Sequence, residues 1–146
     1  MLPPTHILST LIIIKIFGVQ NQIEFFLCIF FGVLIDLDEL YTIFLNFKKM
    51  GFNKFYNSSL KRMLKRRTWF QESGGLFISF FISFFVGSFI PFICNLIHCI
   101  LDWASYYKSN PFAPFYSKIE TQGFIKTFSL EEFLITLLFL IIFLYL

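Results

Sequence analysis

The sequence predicts an all-α protein: an integral membrane helical bundle of about four to five short hydrophobic helices, forming a single domain over residues 1–146. Hydrophobic residues make up 57% of the chain and charged residues 14%, whereas about a quarter is charged in soluble domains. The 24 phenylalanines and a mean hydropathy of +0.73 exceed what the interior of so short a soluble chain can bury. Apolar runs separated by polar and proline-containing stretches predict the individual helices.

The first two apolar runs predict a helical hairpin. The run 7–19 follows Thr5, which is a candidate N-cap. The run 23–35 begins after a polar turn at 20–22 and ends at Asp36. Each run is shorter than the roughly 20 residues that cross a bilayer as a helix, so we expect partial or full insertion. No basic n-region or cleavage site indicates a signal peptide, and we expect the N-terminus to be retained.

A basic stretch at residues 48–67 follows an apolar and aromatic segment, 40–47. It holds eight of the twelve Lys and Arg residues and no acidic residue. By the positive-inside rule it predicts a cytoplasmic loop, and so a multi-pass protein of the cell (inner) membrane. The stretch would also contact anionic lipid headgroups. It contains no nucleic-acid-binding motif, so we expect the lipid bilayer as partner and no nucleic acid, while the oligomeric state stays open.

The longest apolar run is divided by Pro91, which either kinks one helix or ends it and begins another. In the second case, helices cover 76–89 and 91–106. The polar and aromatic segment 108–126 predicts an ordered interfacial loop, and the run 131–146 predicts a final membrane helix.

The three cysteines indicate neither a redox motif nor a thiolate metal site. Cys28, Cys94 and Cys99 lie within apolar runs, and no Cys-x-x-Cys pair occurs. We therefore expect them to be small buried hydrophobic residues.

His98 and Asp102 are the most informative polar residues of the apolar segments. They are four residues apart and Asn95 is three before the histidine, so all three lie on one face of a helix. A histidine and a carboxylate on an apolar helix are costly unless something pairs with them. If Pro91 begins a returning helix, His98 and Asp102 lie at the cytoplasmic side.

The predicted hairpin brings further polar groups to that same side. His6 lies at its start, Asp36 and Asp38 lie at its end, and Glu72 lies at the mouth of the third helix. The chain has only two histidines, so the joint placement of both beside carboxylates predicts a metal site. The candidate ligands are His6, Asp36, Asp38, His98 and Asp102.

The predicted cofactor is a divalent metal, with zinc favoured by the two imidazoles and Mn, Fe or Mg as alternatives. A metal there would activate a water and polarise a phosphoryl or carbonyl oxygen. Simpler readings stay open. His6 could be solvated, the acids at 36 and 38 could face water, and His98 with Asp102 could form a structural interhelical pair.

At these positions the chain resembles the YdjM-like family of membrane-bound metal-dependent hydrolases, the LexA-binding inner-membrane type. Three family elements are matched in order over nearly the whole chain: Thr5-His6; Ile35-Asp36-Leu37-Asp38, with isoleucine where the family has proline; and His98-x-x-x-Asp102, followed by Asn110-Pro111-Phe112. The remaining element departs: the chain keeps Arg67 but has Arg66 and Gln71 where the family has histidines.

The resemblance implies phosphoester or lipid-headgroup hydrolysis at the cytoplasmic interface. The candidate catalytic residues are Asp38, Arg67 and Glu72. Arg67 would hold a substrate phosphate, and Glu72 would supply an anionic ligand. The missing histidines favour an alternative, a non-catalytic membrane scaffold or partner-binding protein. Bound metal in the purified protein distinguishes the two.

Overall fold

The computed structural model describes residues 3–37, 71–106, 108, 109, 111, 112, 115, 121–125 and 129–146. In this part the all-helical prediction is confirmed, with helices α1 (Pro3–Phe17), α2 (Gln22–Gly32), α3 (Ser73–Val86), α4 (Ile90–Ala104) and α5 (Leu130–Tyr145). A 3-10 helix, Leu34–Asp36, follows α2. In the predicted interfacial loop, β1 (Lys108–Ser109) pairs antiparallel with β2 (Thr121–Gln122). The segment 40–47 and the basic stretch 48–67 lie outside the described residues.

The first two helices form the predicted hairpin. α1 starts at Pro3, because a proline in the first turn needs no backbone N–H donor. Thr5 therefore lies inside the helix, and its assignment as the N-cap is wrong. The cap of α2 is Asn21, whose side chain accepts a hydrogen bond from the Ile23 amide at 2.9 Å.

Pro91 begins a new helix and does not kink a longer one. α3 ends at Gly87, whose φ of 76° is the left-handed conformation that favours glycine at this position. α4 then starts at Ile90 with Pro91 in its first turn. Ser83 joins the two helices, because its Oγ accepts a hydrogen bond from the Phe92 amide at 3.0 Å.

Helix α4 lies at the centre of the bundle and packs against α1, α2 and α3, while α5 packs against α1. The Oγ1 atoms of Thr5 and Thr136 are 2.8 Å apart near the start of α1 and α5. Near their ends, Lys15 Nζ donates to the Phe143 carbonyl at 3.1 Å. Helices α1 and α5 therefore run parallel, and both begin at the end of the bundle where His6 lies.

The described interior of the bundle contains few apolar side chains. Its hydrophobic cluster consists of Ile13, Ile14, Cys28 and Cys94. All three cysteines are buried, as predicted. Among the described residues, buried polar residues outnumber buried apolar ones; they are Thr5, His6, Ser9, Thr10, Gln71, Glu72, Ser79, Ser83, Asn95, His98, Asp102, Ser105 and Glu132.

The outside of the bundle is rich in exposed apolar side chains, such as Phe84 at 63% and Phe85 at 84% exposure. Within the part of the chain that the structure describes, no helix combines the length and the apolar character needed to cross a bilayer.

Candidate metal site

Three segments bring four of the predicted ligands together at one end of the bundle. His6 comes from the first turns of α1, Asp36 from the 3-10 helix after α2, and His98 with Asp102 from α4. His6 Nε2 lies 3.2 Å from Asp102 Oδ1. His98 Nε2 lies 3.3 Å from Asp102 Oδ2 and 3.2 Å from Asp36 Oδ1. Asp102 thus faces both imidazoles, one with each carboxylate oxygen.

The group is enclosed by protein except at one side. The side chains of His6 and His98 are fully buried and that of Asp102 is 5% exposed, whereas that of Asp36 is 28% exposed. The two imidazole rings are stacked, with centroids 4.1 Å apart and an interplanar angle of 27°. Asp36 therefore marks the side of the group that faces solvent.

The orientation of the His98 ring is fixed by the backbone of α2. His98 Nδ1 lies 2.9 Å from the carbonyl oxygen of Gly32. A carbonyl only accepts, so Nδ1 carries the hydrogen and the lone pair of the neutral ring is on Nε2, facing the carboxylates. Gly32 permits the close approach of α1, since a Cβ at this position would lie 2.2 Å from Thr10 Oγ1.

Burial and the neighbouring charged groups have opposing effects on the pKa values of the two histidines. Burial disfavours the imidazolium of His98, but the nearby carboxylates of Asp102 and Asp36 outweigh burial and raise the pKa of His98 to about 10. Burial and the neighbouring His98 ring lower the pKa of His6. Without a metal, the site therefore holds one proton on His98 between two carboxylates. A metal ion that binds here must displace that proton.

The donor set fits a divalent metal. His6, His98 and Asp102 each offer one ligand atom, and these atoms lie within 4.8 Å of one another. Among the described residues, His98 Nε2 and both ring nitrogens of His6 make no hydrogen bond of regular geometry, although carboxylate oxygens lie 3.2–3.3 Å from the two Nε2 atoms. Ligand atoms about 2.0–2.2 Å from a tetrahedral zinc lie roughly 3.3–3.5 Å apart, so the three ligand atoms, which lie within 4.8 Å of one another, would draw closer together around a bound zinc. Three protein ligands would leave one position for water or substrate.

The candidate catalytic residues have different positions. Asp38 and Arg67 lie outside the described residues. Glu72 is buried, and its Oε2 accepts a hydrogen bond from Trp103 Nε1 at 2.6 Å. It is not one of the residues whose ligand atoms converge with those of His6 and His98.

Two further residues contact the site, and the sequence did not single them out for this role. Gln71 Nε2 donates to Asp36 Oδ1 at 3.0 Å, and the Gly32 carbonyl accepts from His98. The sequence distinguishes Gln71 only by its place where the resembled family has a histidine. A glycine at the end of an apolar run does not indicate a carbonyl group that orients a ligand. Both contacts join segments far apart in the chain.

Comparisons of this chain with protein-family models, curated protein sequences and solved structures found no match.

Proposed function

We propose that this chain is a membrane-associated, metal-dependent hydrolase that acts on a phosphoester or lipid-headgroup substrate. The observation that carries the proposal is the convergence of two buried imidazoles and one buried carboxylate, with the His98 lone pair directed toward two carboxylate groups. Such an arrangement is repulsive unless a cation or a proton lies between the groups. The substrate class rests on the resemblance to the YdjM-like family alone.

The protein residues have distinct parts in this proposal. His6, His98 and Asp102 hold the metal, and zinc is the metal that best suits two imidazoles with one carboxylate. The bound metal supplies an activated water and a Lewis acid for the substrate oxygen. Asp36 is the most exposed member of the group and receives the proton of a water that enters from solvent. Arg67 and Asp38 lie outside the described residues, and their proposed parts, binding of the substrate phosphate and catalysis, rest on the resemblance alone.

The proposed location is the cell (inner) membrane, with the metal site at the cytoplasmic interface. Its support is the distribution of side chains: the described helices carry exposed phenylalanine, leucine and isoleucine outward and polar groups inward. In lipid the apolar surface is solvated by acyl chains, while the interior is held together by hydrogen bonds. The basic stretch 48–67 contacts anionic headgroups in this arrangement.

The second candidate function is a non-catalytic membrane scaffold. It is favoured by the geometry around His98, whose Nε2 lies 3.2 Å from Asp36 and 3.3 Å from Asp102, so that a proton on this nitrogen bridges the two carboxylates without any metal. It is also favoured by the departure from the family pattern, because the chain has Arg66 and Gln71 where the family has histidines.

The test is elemental analysis of detergent-purified wild type beside His98→Ala. We expect about one metal ion per wild-type chain and nearly complete loss in the variant, because one of three ligands is removed. Asp102→Asn serves as a second variant of unchanged shape, and should also lose metal. The free energy of unfolding of each metal-free protein shows whether the bundle still forms.

Metal-free wild type that is folded and remains metal-free after incubation with Zn²⁺, Mn²⁺ or Fe²⁺ would overturn the hydrolase and favour the scaffold. Stoichiometric metal justifies assays with a chromogenic phosphodiester and with phospholipid vesicles. Hydrolysis that is lost in His98→Ala and Arg67→Ala supports the proposed reaction, whereas bound metal without hydrolysis of either substrate contradicts the proposed substrate class.

A further inference from the structure

Gln71 donates a hydrogen bond to Asp36, the solvent-facing carboxylate of the site. Gln71 lies on a segment that carries none of the proposed metal ligands. It lies two residues before the start of α3, and its side chain is fully buried. Its Nε2 donates to Asp36 Oδ1 at 3.0 Å. The backbone of Gln71 is attached to the central helix, because Cys99 Sγ donates to its carbonyl oxygen at 3.4 Å. The donor is therefore anchored to the same helix that carries His98.

Asp36 needs such a donor more than the other ligand candidates do. It lies on a 3-10 helix of three residues, and its side chain is 28% exposed, against 5% for Asp102. A short, partly exposed segment leaves the carboxylate able to rotate between its rotamers. The oxygen that accepts from Gln71 is the same Oδ1 that lies 3.2 Å from His98 Nε2. One amide hydrogen thus selects the orientation in which Asp36 faces the imidazole.

We propose that Gln71 is a positioning residue that acts through Asp36, orienting this carboxylate toward the metal held by His6, His98 and Asp102. This inference rests on the proposed metal site. Hydrogen bonds to ligating or neighbouring groups tune metal affinity by roughly 10- to 100-fold. An uncharged amide donor orients the carboxylate and leaves its negative charge in place, which a lysine or arginine at position 71 would neutralise.

The test is a double-mutant cycle on zinc affinity in the full chain. Gln71→Met removes the donor with little change in side-chain volume, and Asp36→Asn removes the carboxylate charge. We expect Gln71→Met to weaken Zn²⁺ binding about 10- to 100-fold. In the Asp36→Asn background, Gln71→Met should weaken Zn²⁺ binding by less than about threefold. The effects of two residues that act as one unit are not additive. Competition with a chromophoric chelator gives the dissociation constants.

Asn95→Leu is the matched control. Asn95 is also a buried amide, but its Nδ2 donates to Ser79 Oγ at 2.9 Å and not to a site carboxylate. We expect this variant to lower the free energy of unfolding and leave zinc affinity within about twofold. Gln71→Glu, which keeps the shape and loses the donor at neutral pH, provides a second variant if Gln71→Met does not fold.

The outcomes separate the two proposals. Zinc binding by wild type that is unchanged in the Gln71 variants overturns the positioning role and leaves the metal site standing. An equal loss in both backgrounds also overturns it, since Gln71 would then act independently of Asp36. Wild type that binds no zinc overturns both.

Discussion

The outer face of α3 is apolar and exposed, whereas the inner face of α4 is polar and buried. The outer face consists of Phe77, Phe81, Phe84 and Phe85, which are between 44% and 84% exposed. The inner face consists of Asn95, His98 and Asp102, which are at most 3% exposed. In soluble domains large apolar side chains are more often buried, and charged side chains are more often exposed. The difference shows that this bundle is organised around polar contacts between helices, with its large apolar side chains directed outward.

The inner contacts form a connected set. Asn95 Nδ2 donates to Ser79 Oγ, which in turn donates to the Leu76 carbonyl at 3.0 Å. Cys99 Sγ lies 3.8 Å from Asn95 Oδ1 and donates to the backbone of Gln71. The set therefore joins the middle of α3 to the backbone at Gln71. Buried hydrogen bonds of this kind are costly to break singly, because the partner left behind is desolvated.

Gly32→Ala should have the largest effect on the inner contacts. The added Cβ would lie 2.2 Å from Thr10 Oγ1, so α1 and α2 must separate. We expect a loss of roughly 2–3 kcal/mol in the free energy of unfolding, as for other overpacked interiors. Zinc affinity should fall as well, since the carbonyl that orients His98 moves.

Thr10→Ala in the Gly32→Ala background is the matched control, and removing the hydroxyl should restore part of the stability. Denaturant unfolding in detergent measures both variants. A Gly32→Ala variant as stable as wild type would contradict the close packing of α1 on α2.

Ser79→Ala should have an intermediate effect. It removes the acceptor of Asn95 Nδ2 and leaves a buried amide donor without that hydrogen bond. We expect a loss of about 1–3 kcal/mol in the free energy of unfolding. The double variant Ser79→Ala/Asn95→Leu should lose less unfolding free energy than the sum of the losses in the two single variants, because both hydrogen-bond partners are then absent. Strict additivity would mean that the two side chains do not interact.

Phe85→Gln should have the smallest effect on stability. The side chain is 84% exposed, so we expect a change within about 0.5 kcal/mol in detergent. Flotation with vesicles of phosphatidylethanolamine and phosphatidylglycerol should show weaker membrane binding when Phe77, Phe84 and Phe85 are all changed to Gln. Destabilisation of the single variant to the extent of Ser79→Ala would show that the outer face packs against protein and not against lipid.

The sequence predicted the helices better than the contacts. Pro91 was expected either to kink one helix or to separate two, and the glycine at 87 resolves this by ending α3. Thr5 was expected to cap α1, but the helix already begins at Pro3, since prolines in the first turn need no backbone N–H donor. The Thr5 hydroxyl instead hydrogen-bonds to that of Thr136. Local signals of this kind act within one turn of helix. They carry no information on which distant side chain a polar residue meets.

By itself the sequence predicted that the chain is helical and where its N-terminal hairpin turns. It also predicted that His6, Asp36, His98 and Asp102 share one end of the bundle, provided that Pro91 begins a returning helix. These follow from helix periodicity and from the positions of polar residues along the apolar runs. Only the tertiary structure decided that Asp102 faces both imidazoles, that the Gly32 carbonyl orients His98, and that Gln71 holds Asp36. These contacts depend on separations of about 3 Å and on the orientation of individual atoms, which arise when residues far apart in the chain pack together.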